Sequence, residues 1–345
     1  MSKFKFFLAA ALCLAMATPA LADFSLYGSA RMSVFYDHTD AGDAGNGATT
    51  DSLHDTLQTN SRLGAKFNTN DIFGHVELGL KGNQDGNGVY TRLLYGVYKF
   101  DGVSILLGQT YTPYTFFSEQ VWNDDNDFIG FGATYDSRQP MIKFTLDNGL
   151  YLALIQPKSP AVNANDATKA IMPKVAVGFD GKFGNVAAGA GVAYNGYKDT
   201  TVGKTINSYL VYGHGKVDLN PVDLTAAIHY GQNLDNFGIS GRSSSKAIMV
   251  GTSLENSTSF GGWFQVGFAL APNAKLDAGV AYVSDDNDAY AEKDEKMSYF
   301  VNTSIKVAKS FTIVPEIDYF DYMKNTAGVD QGSGIEAGAK LQMDF

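Results

Sequence analysis

The sequence ends on GIEAGAKLQMDF, residues Gly334 to Phe345, and these residues alternate between apolar and polar side chains. One set is Phe345, Met343, Leu341, Ala339, Ala337 and Ile335, and the other is Asp344, Gln342, Lys340, Gly338 and Glu336. Successive side chains of a strand point to opposite faces, so the pattern predicts a strand with one apolar and one polar face. An apolar outer face, a polar inner face and an aromatic residue at the interface are typical of a transmembrane β-barrel strand.

The first 22 residues have the composition of a secretory signal peptide. Two lysines come first, an apolar stretch over 6–16 follows, and an Ala-Leu-Ala cleavage pattern closes the segment. This arrangement is too short and wrongly flanked for a membrane helix. We expect residues 1–22 to be removed and residues 23–345 to form one transmembrane barrel domain. The single cysteine, Cys13, lies in the leader, so no disulfide framework is expected in the mature chain.

Composition and motif content narrow the function. The formal net charge is −10, whereas nucleic-acid binding needs a basic surface, so no nucleic-acid partner is expected. The five histidines are scattered without metal-ligand spacing, and no serine stands in a nucleophile-elbow motif. The sequence therefore predicts no metal, no cofactor and no enzymatic activity. The mean hydropathy of −0.11 is compatible with a barrel, because two-faced strands average to a neutral value.

Two-faced segments recur along the mature chain, and their connections alternate between short and long. Short turns beside long loops are the pattern of an outer-membrane barrel, with the turns periplasmic and the loops extracellular. Eight long and seven short connections predict an all-β, closed antiparallel barrel of sixteen strands. Residues 246–260 are interpreted as partly loop. Counting them as a full strand, together with one missed strand, gives eighteen as the alternative.

The segment TRLLYGVYKFDGVSILLGQTYTP, Thr91 to Pro113, resembles the fourth and fifth strands of Gram-negative general porins. The segments Ser61–Gly64 and Leu26–Gly28 resemble the second and first strands of that family. Gln109 departs from the family, since many relatives carry an arginine after the glycine. The resemblance implies a homotrimer among the lipids of the outer membrane of a Gram-negative bacterium. It also implies a third loop folded into the pore and a terminal Phe345 that the barrel assembly machinery reads.

The third long connection, Thr112–Thr134, is the candidate pore constriction. Its acids are Glu119, Asp124, Asp125 and Asp127. It is also rich in aromatic residues, which bury large areas, so the loop is expected to pack against the inner wall. Basic residues on the polar faces of the strands, which point into the lumen, should face this loop. They are Arg31, Arg62, Lys66, Lys81, Arg92 and Lys340. Opposed charges across a narrow pore select solutes. With the negative net charge, they predict a weak preference for cations.

Small outward residues on the terminal strands form a second candidate site. They are Gly28 and Ala30 on the first strand and Ala337 and Ala339 on the last. If the barrel closes, these residues are expected to lie side by side. A flat surface of small side chains lets another protein approach closely, a logic known from membrane helices. We therefore predict that these four residues form the subunit contact.

The predicted function is a water-filled porin channel for passive diffusion of small hydrophilic solutes and ions. Size and charge selection would take place where the acidic loop faces the basic wall. Two alternatives remain open at this point. One is a substrate-specific channel, for example for a sugar, which would show a row of lumen aromatics. The other is a structural or adhesive barrel that does not conduct.

Overall fold

The computed structural model describes residues 23–42, 49–82 and 85–345, and the predicted leader lies outside them. Strands dominate this part of the chain. They are β1 (Asp23–Asp40), β2 (Thr50–Leu57), β3 (Arg62–Asn68), β4 (Ile72–Lys81), β5 (Gly88–Phe100), β6 (Val103–Tyr111), β7 (Arg138–Leu146), β8 (Leu150–Ile155), β9 (Thr168–Ala170), β10 (Lys174–Phe183), β11 (Val186–Asp199), β12 (Lys204–Asp218), β13 (Val222–Gln232), β14 (Ile248–Val250), β15 (Ser253–Glu255), β16 (Ser257–Ala271), β17 (Ala274–Asn287), β18 (Asp294–Ala308), β19 (Phe311–Asp321) and β20 (Ser333–Asp344). Two single-turn helical segments are α1 (Trp122–Asp125) and α2 (Leu234–Phe237). Among the described residues, no helix has both the length and the apolar character to cross a membrane.

The strands close into one antiparallel barrel. β1 pairs with β20 from Ser29 opposite Asp344 to Asp40 opposite Ser333, which joins the first strand to the last. The sheet has eighteen segments, but β2 and β3 both pair with β1, and β9 and β10 both lie beside β11. Each of these two pairs occupies one strand position, so the barrel has sixteen positions. The remaining strands, β14 and β15, form a separate hairpin, which confirms the interpretation of 246–260 as partly loop.

The connections follow the predicted alternation. Short turns join β3 to β4, β5 to β6 and the other pairs at the end where β20 finishes. At the opposite end lie the described parts of loop 1 (41–42 and 49) and of loop 2 (82 and 85–87), together with loop 3 (112–137), loop 4 (156–167), loop 5 (200–203), loop 6 (233–256), loop 7 (288–293) and loop 8 (322–332). Loops 5 and 7 are short, because the strands that flank them extend further before they turn.

The side chains separate as the alternation predicts. Leu26 is 72% exposed on the outer face, whereas Ser29 and Ser33 are buried on the inner face. A register shift between β4 and β5 at Glu77 is a β-bulge, which reverses the facing of the residues that follow. As a result Tyr98, which strict alternation from the lumen-facing Arg92 would place in the lumen, lies outside, with its ring tilted against Phe100 at 4.5 Å between centroids.

The second strand position is broken at 58–61, between the end of β2 and the start of β3. The Gln58 and Asn60 side chains turn inward, and both bind loop 3. The Gln58 Nε2 atom donates to Ser33 Oγ at 2.7 Å and to Val121 O at 3.4 Å. The regular strand pairing is therefore interrupted at residues 58–61, and the Gln58 and Asn60 side chains bind loop 3 instead.

The lumen is filled on one side. Loop 3 and loop 6 contribute Tyr114, Leu234 and Phe237 to an apolar cluster against the inner walls of β7, β8 and β10–β12. A second cluster packs Phe128 and Phe131 of loop 3 against β16–β19. Buried aromatic residues stabilise such clusters through their large apolar areas. The open passage is therefore displaced toward β1–β6 and β20.

The predicted side-by-side placement of the small outward residues is wrong. Ala30 pairs with Met343, whereas Ala339 pairs with Val34, four residues further along β1. At about 3.3 Å per strand residue, Ala30 and Ala339 are roughly 13 Å apart. The cause is the stagger between the two terminal strands.

At Gly28 the outer surface is already occupied within the same chain. Gly28 exchanges backbone hydrogen bonds with Phe345, at 2.7 and 3.0 Å. A Cβ atom at Gly28 would collide with the Phe345 ring. The small residues therefore form two separate areas along the seam. Gly28 and Ala30 form the area near the end of β20, and Phe345 covers part of it. Ala337 and Ala339 form the other area, further along the seam.

Candidate pore constriction

Loop 3 runs inside the barrel because wall side chains bind its backbone. Glu316 on β19 accepts hydrogen bonds from the backbone N–H groups of Val121, at 2.8 Å, and Trp122, at 2.5 Å. The Asn302 side chain donates to Glu119 O at 2.6 Å and also to Glu316 at 2.8 Å. Buried backbone groups need such partners once the loop leaves water. These contacts confirm that the third loop folds into the pore.

The tip of loop 3 reaches across the lumen to the barrel seam. Asp125 accepts hydrogen bonds from Arg31 Nη1 and from Lys340 Nζ, both at 2.7 Å. The Asn60 side chain also donates to Asp125, at 2.8 Å, and its backbone N–H donates to Asp124 Oδ1 at 3.2 Å. Burial alone would raise the pKa of Asp125, but Lys340 and Arg31 hold that pKa below its usual value. Asp125 is therefore an ionised bridge between the loop and the wall.

The backbone of this tip adopts strained conformations. Asp124, Asp125, Asp127 and Phe128 have φ values of 71°, 61°, 54° and 60°, in the left-handed region that L-residues rarely adopt. Such residues persist only where surrounding contacts determine them. The bonds to Asp124 and Asp125 are contacts of this kind, and they fix the acidic side chains of the tip in place.

A basic cluster lies on the wall beside the loop. Glu77 pairs with Arg92 at 2.7 Å and with Arg62 at 3.6 Å. The Tyr111 hydroxyl accepts hydrogen bonds from Arg92 Nη2 and Arg138 Nη2, both at 3.0 Å. The cluster contains more cations than acids, so it presents positive charge to the passage.

Opposed charges line one cavity of about 490 Å³. Its basic residues are Arg31, Arg62, Arg92, Arg138 and Lys340, and its acidic residues are Glu119, Asp124, Asp125 and Asp127. Within the described residues, neither Glu119 nor Asp127 makes a salt bridge. Burial, together with neighbouring carboxylates, raises the pKa of Asp127 well above its usual value and raises that of Glu119.

Two predicted wall cations lie away from this cavity. The Lys66 Nζ atom lies 5.3 Å from the Tyr27 ring and lines a separate cavity of about 430 Å³ toward the turns. The Lys81 Nζ atom lies 5.6 Å from the Tyr90 ring and does not line the constriction cavity. The structure thus brings together four of the six predicted cations and all four predicted acids.

Among the charged residues that line this cavity, Arg138 is the one that the sequence did not predict. It is the first residue of β7, immediately after loop 3. The predicted cations lie on β1, β3–β5 and β20, whereas Arg138 lies beyond loop 3. The position of Arg138 in the sequence is itself a signal. A strand that directly follows a loop folded into the pore begins at the level of the constriction, so a cation at its first residue is expected there.

Two aspartates of the acidic run at 285–288 are engaged in ion pairs. Asp285 pairs with Arg242, and Asp286 pairs with Lys293 at 3.2 Å. Among the described residues, no group of three or more His, Cys, Asp or Glu side chains is arranged to hold a metal ion.

The closed barrel, its inward third loop and the charged cavity together define a diffusion channel of the outer membrane. A family model described as Gram-negative porin matches residues 9–345. The chain belongs to this family. It is a porin of the outer membrane of Gram-negative bacteria, a channel for passive diffusion. Comparison with curated protein sequences finds no match.

Solved structures with the same fold include several channels. The outer membrane channel DcaP of Acinetobacter baumannii is 22% identical, with a TM-score of 0.77 over 95% of this chain and 99% of that one. An anion-selective porin from Comamonas acidovorans is 12% identical, with a TM-score of 0.62 over 94% and 100%. A loop-deletion variant of OmpT from Vibrio cholerae is 15% identical, with a TM-score of 0.61 over 93% and 99%. At these identities the similarity shows the fold alone.

Proposed function

We propose that this porin selects small hydrophilic solutes and ions by size and charge where loop 3 meets the basic wall. The observation that carries the proposal is the constriction cavity, which the loop 3 acids and the wall cations line together. Fixed charges of both signs on facing sides create a transverse field. Polar solutes can orient in that field, whereas apolar solutes gain nothing from it. In this proposal solutes cross the channel by passive diffusion, and the protein catalyses no reaction.

The negative net charge of the chain predicts a weak preference for cations in a salt gradient, although the cavity itself is lined by five basic and four acidic residues. Charges of both signs line the cavity in nearly equal number, so removing one side chain should shift the balance. Arg138→Gln should move the reversal potential toward cations, and Asp127→Asn should move it toward anions. Planar-bilayer recordings measure both shifts. Clear anion preference of the wild type, or shifts of the opposite sign, would refute this assignment.

The same recordings made over a range of pH add a control. A raised pKa means that Glu119 and Asp127 lose their charge at a higher pH than ordinary carboxyls when the solution is acidified. Asp125, whose pKa is lowered, stays ionised further into acid. Cation preference should therefore decline early on acidification, and Asp127→Asn should reduce that pH dependence.

A substrate-specific channel is the second candidate, because aromatic side chains line the constriction. Tyr111 and Phe117 make an edge contact at 4.8 Å, and Phe117 is 43% exposed toward the cavity. Such rings can stack on a sugar. Conductance that saturates, or that one sugar blocks at low concentration, would favour this candidate over general diffusion.

We further propose a homotrimer that makes contact along the outer face of the β1–β20 seam. One solved relative in fold, OmpT of Vibrio cholerae, is described in a trimer form, and the seam carries Ala30 and Ala339. Replacing both with glutamine should dissociate the oligomer in detergent, since bulky polar groups prevent close approach. Native electrophoresis measures this. Ala190→Gln, on the outer face of β11, is the matched control, and an intact trimer in the seam variant would contradict the proposal.

The terminal strand is proposed to carry the signal for the barrel assembly machinery. Phe345 is 69% exposed at the end of β20, so its ring is accessible before the barrel closes. A variant that ends at Asp344 should yield less heat-modifiable barrel in the outer membrane. Equal yields of the truncated and the complete chain would rule out this role. Outer-membrane lipids are the expected partners of the remaining apolar face.

A further inference from the structure

Loop 6 is a second loop that folds into the lumen. The sequence predicted it as an ordinary extracellular connection. In the structure Leu234, Phe237 and Ile239 are fully buried within the barrel. The Phe237 ring packs edge-on against Tyr114 of loop 3, with ring centroids 5.4 Å apart. The two inward loops therefore share one apolar core.

Loop 6 contacts the C-terminal part of loop 3, which contains Gly130 and Tyr135. The backbone N–H of Ser240 donates to Tyr135 O at 2.8 Å. Gly241 lies so close to Gly130 that a Cβ atom on Gly241 would be 2.6 Å from the Gly130 Cα atom. Both glycines have positive φ, at 72° and 86°. This close approach requires residues without side chains. It fixes the stretch that leads into Arg138.

A buried lysine adds a second connection between the loops. The Lys174 Nζ atom donates to Asp136 of loop 3 at 2.5 Å and to Phe237 O of loop 6 at 2.7 Å. The Lys174 and Asp136 side chains are both fully buried. The Tyr114 hydroxyl also donates to Asp136, at 2.7 Å. Displacing loop 6 would remove one of the partners of this buried charge.

Arg242 holds loop 6 to the barrel wall. Its guanidinium is fully buried, and its Nη2 atom binds Asp285 and Ser259. The Nε and Nη1 atoms have no hydrogen-bond partner in the described part of the chain. A buried charge is costly unless it is paired. The Arg242 side chain therefore depends on Asp285 to remain inside the barrel.

We infer that Arg242 and Asp285 are positioning residues of the constriction. Their ion pair holds loop 6 in the lumen, and loop 6 holds the part of loop 3 that carries Tyr135 and leads into Arg138. Neither Arg242 nor Asp285 lines the constriction cavity. The inference rests on the proposed function only in treating Arg138 as a selecting charge.

The test combines Arg242→Met with Arg138→Gln in single-channel recordings. In the wild-type background, Arg138→Gln should shift the reversal potential toward cations. In the Arg242→Met background that shift should be reduced, because the loop 3 stretch beside Arg138 is no longer fixed, although Arg138 keeps its bond to Tyr111. The Arg242→Met channel should also switch among several conductance levels, whereas the wild type stays at one. Arg242→Lys, which keeps the charge, should restore the single level.

Lys293→Met is the matched control, since it breaks the exposed pair with Asp286 beside the buried one. Heat-modifiable electrophoretic mobility confirms a folded barrel in each variant. If Arg242→Met does not fold, Asp285→Asn, which keeps an acceptor, takes its place. A single wild-type conductance level and a full Arg138→Gln shift would overturn the inference. If Arg138→Gln has no effect in the wild type, the proposed function fails, and the conductance levels alone decide the inference.

Discussion

Glu316→Leu is expected to release loop 3 from the barrel wall and enlarge the pore. Glu316 accepts the backbone N–H groups of Val121 and Trp122, and it is 2% exposed. Leucine fills similar space but accepts no hydrogen bond. Each buried donor left without a partner costs about 1–3 kcal/mol. With two such donors, the attachment of this stretch to the wall weakens by about 2–6 kcal/mol, which favours its displacement into the water of the lumen.

The measurement is liposome swelling with sugars of increasing size, combined with single-channel conductance. The Glu316→Leu channel should admit sugars that the wild type excludes and should conduct more strongly. Glu316→Gln keeps one acceptor oxygen and should give an intermediate result. Glu292→Leu, on exposed loop 7, is the control for loss of a carboxylate. An unchanged size cut-off in Glu316→Leu would show that Glu316 does not determine the position of the loop.

The barrel could be predicted from the sequence because each strand meets two different solvents. Lipid outside and water inside impose a period of two on every strand, as in Gly334–Phe345. That local pattern was enough to identify the faces of β1 and β20. It failed at Tyr98, because one extra residue in the bulge reverses every later side chain. Alternation carries no information about where such a residue is inserted.

The constriction was only partly predictable, for a related reason. The aromatic content of Thr112–Thr134 indicated a packed loop, and the structure confirms that it folds inward. The strand break at 58–61 and the inward path of loop 6 depend on partners distant in sequence, such as Asn60 with Asp125 and Arg242 with Asp285. No periodicity encodes such contacts. Loop 6 had apolar residues, but too few to distinguish a buried loop from an exposed one.

Asp125→Asn is expected to shift the channel strongly toward anions. Asparagine keeps the shape of the side chain but removes the charge that faces both Arg31 and Lys340. A unit charge about 4 Å from a permeant ion contributes about 1 kcal/mol in water, which corresponds to about a fivefold change in relative occupancy. The reversal potential in a salt gradient should move by a corresponding amount.

Asp344→Asn, at the exposed end of β20, should leave the reversal potential unchanged. The double variant Asp125→Asn with Lys340→Gln should return selectivity most of the way to wild type, because it removes one charge of each sign. If selectivity stays near that of the wild type in the single variant, the ionised bridge at Asp125 is not the charge filter of this pore.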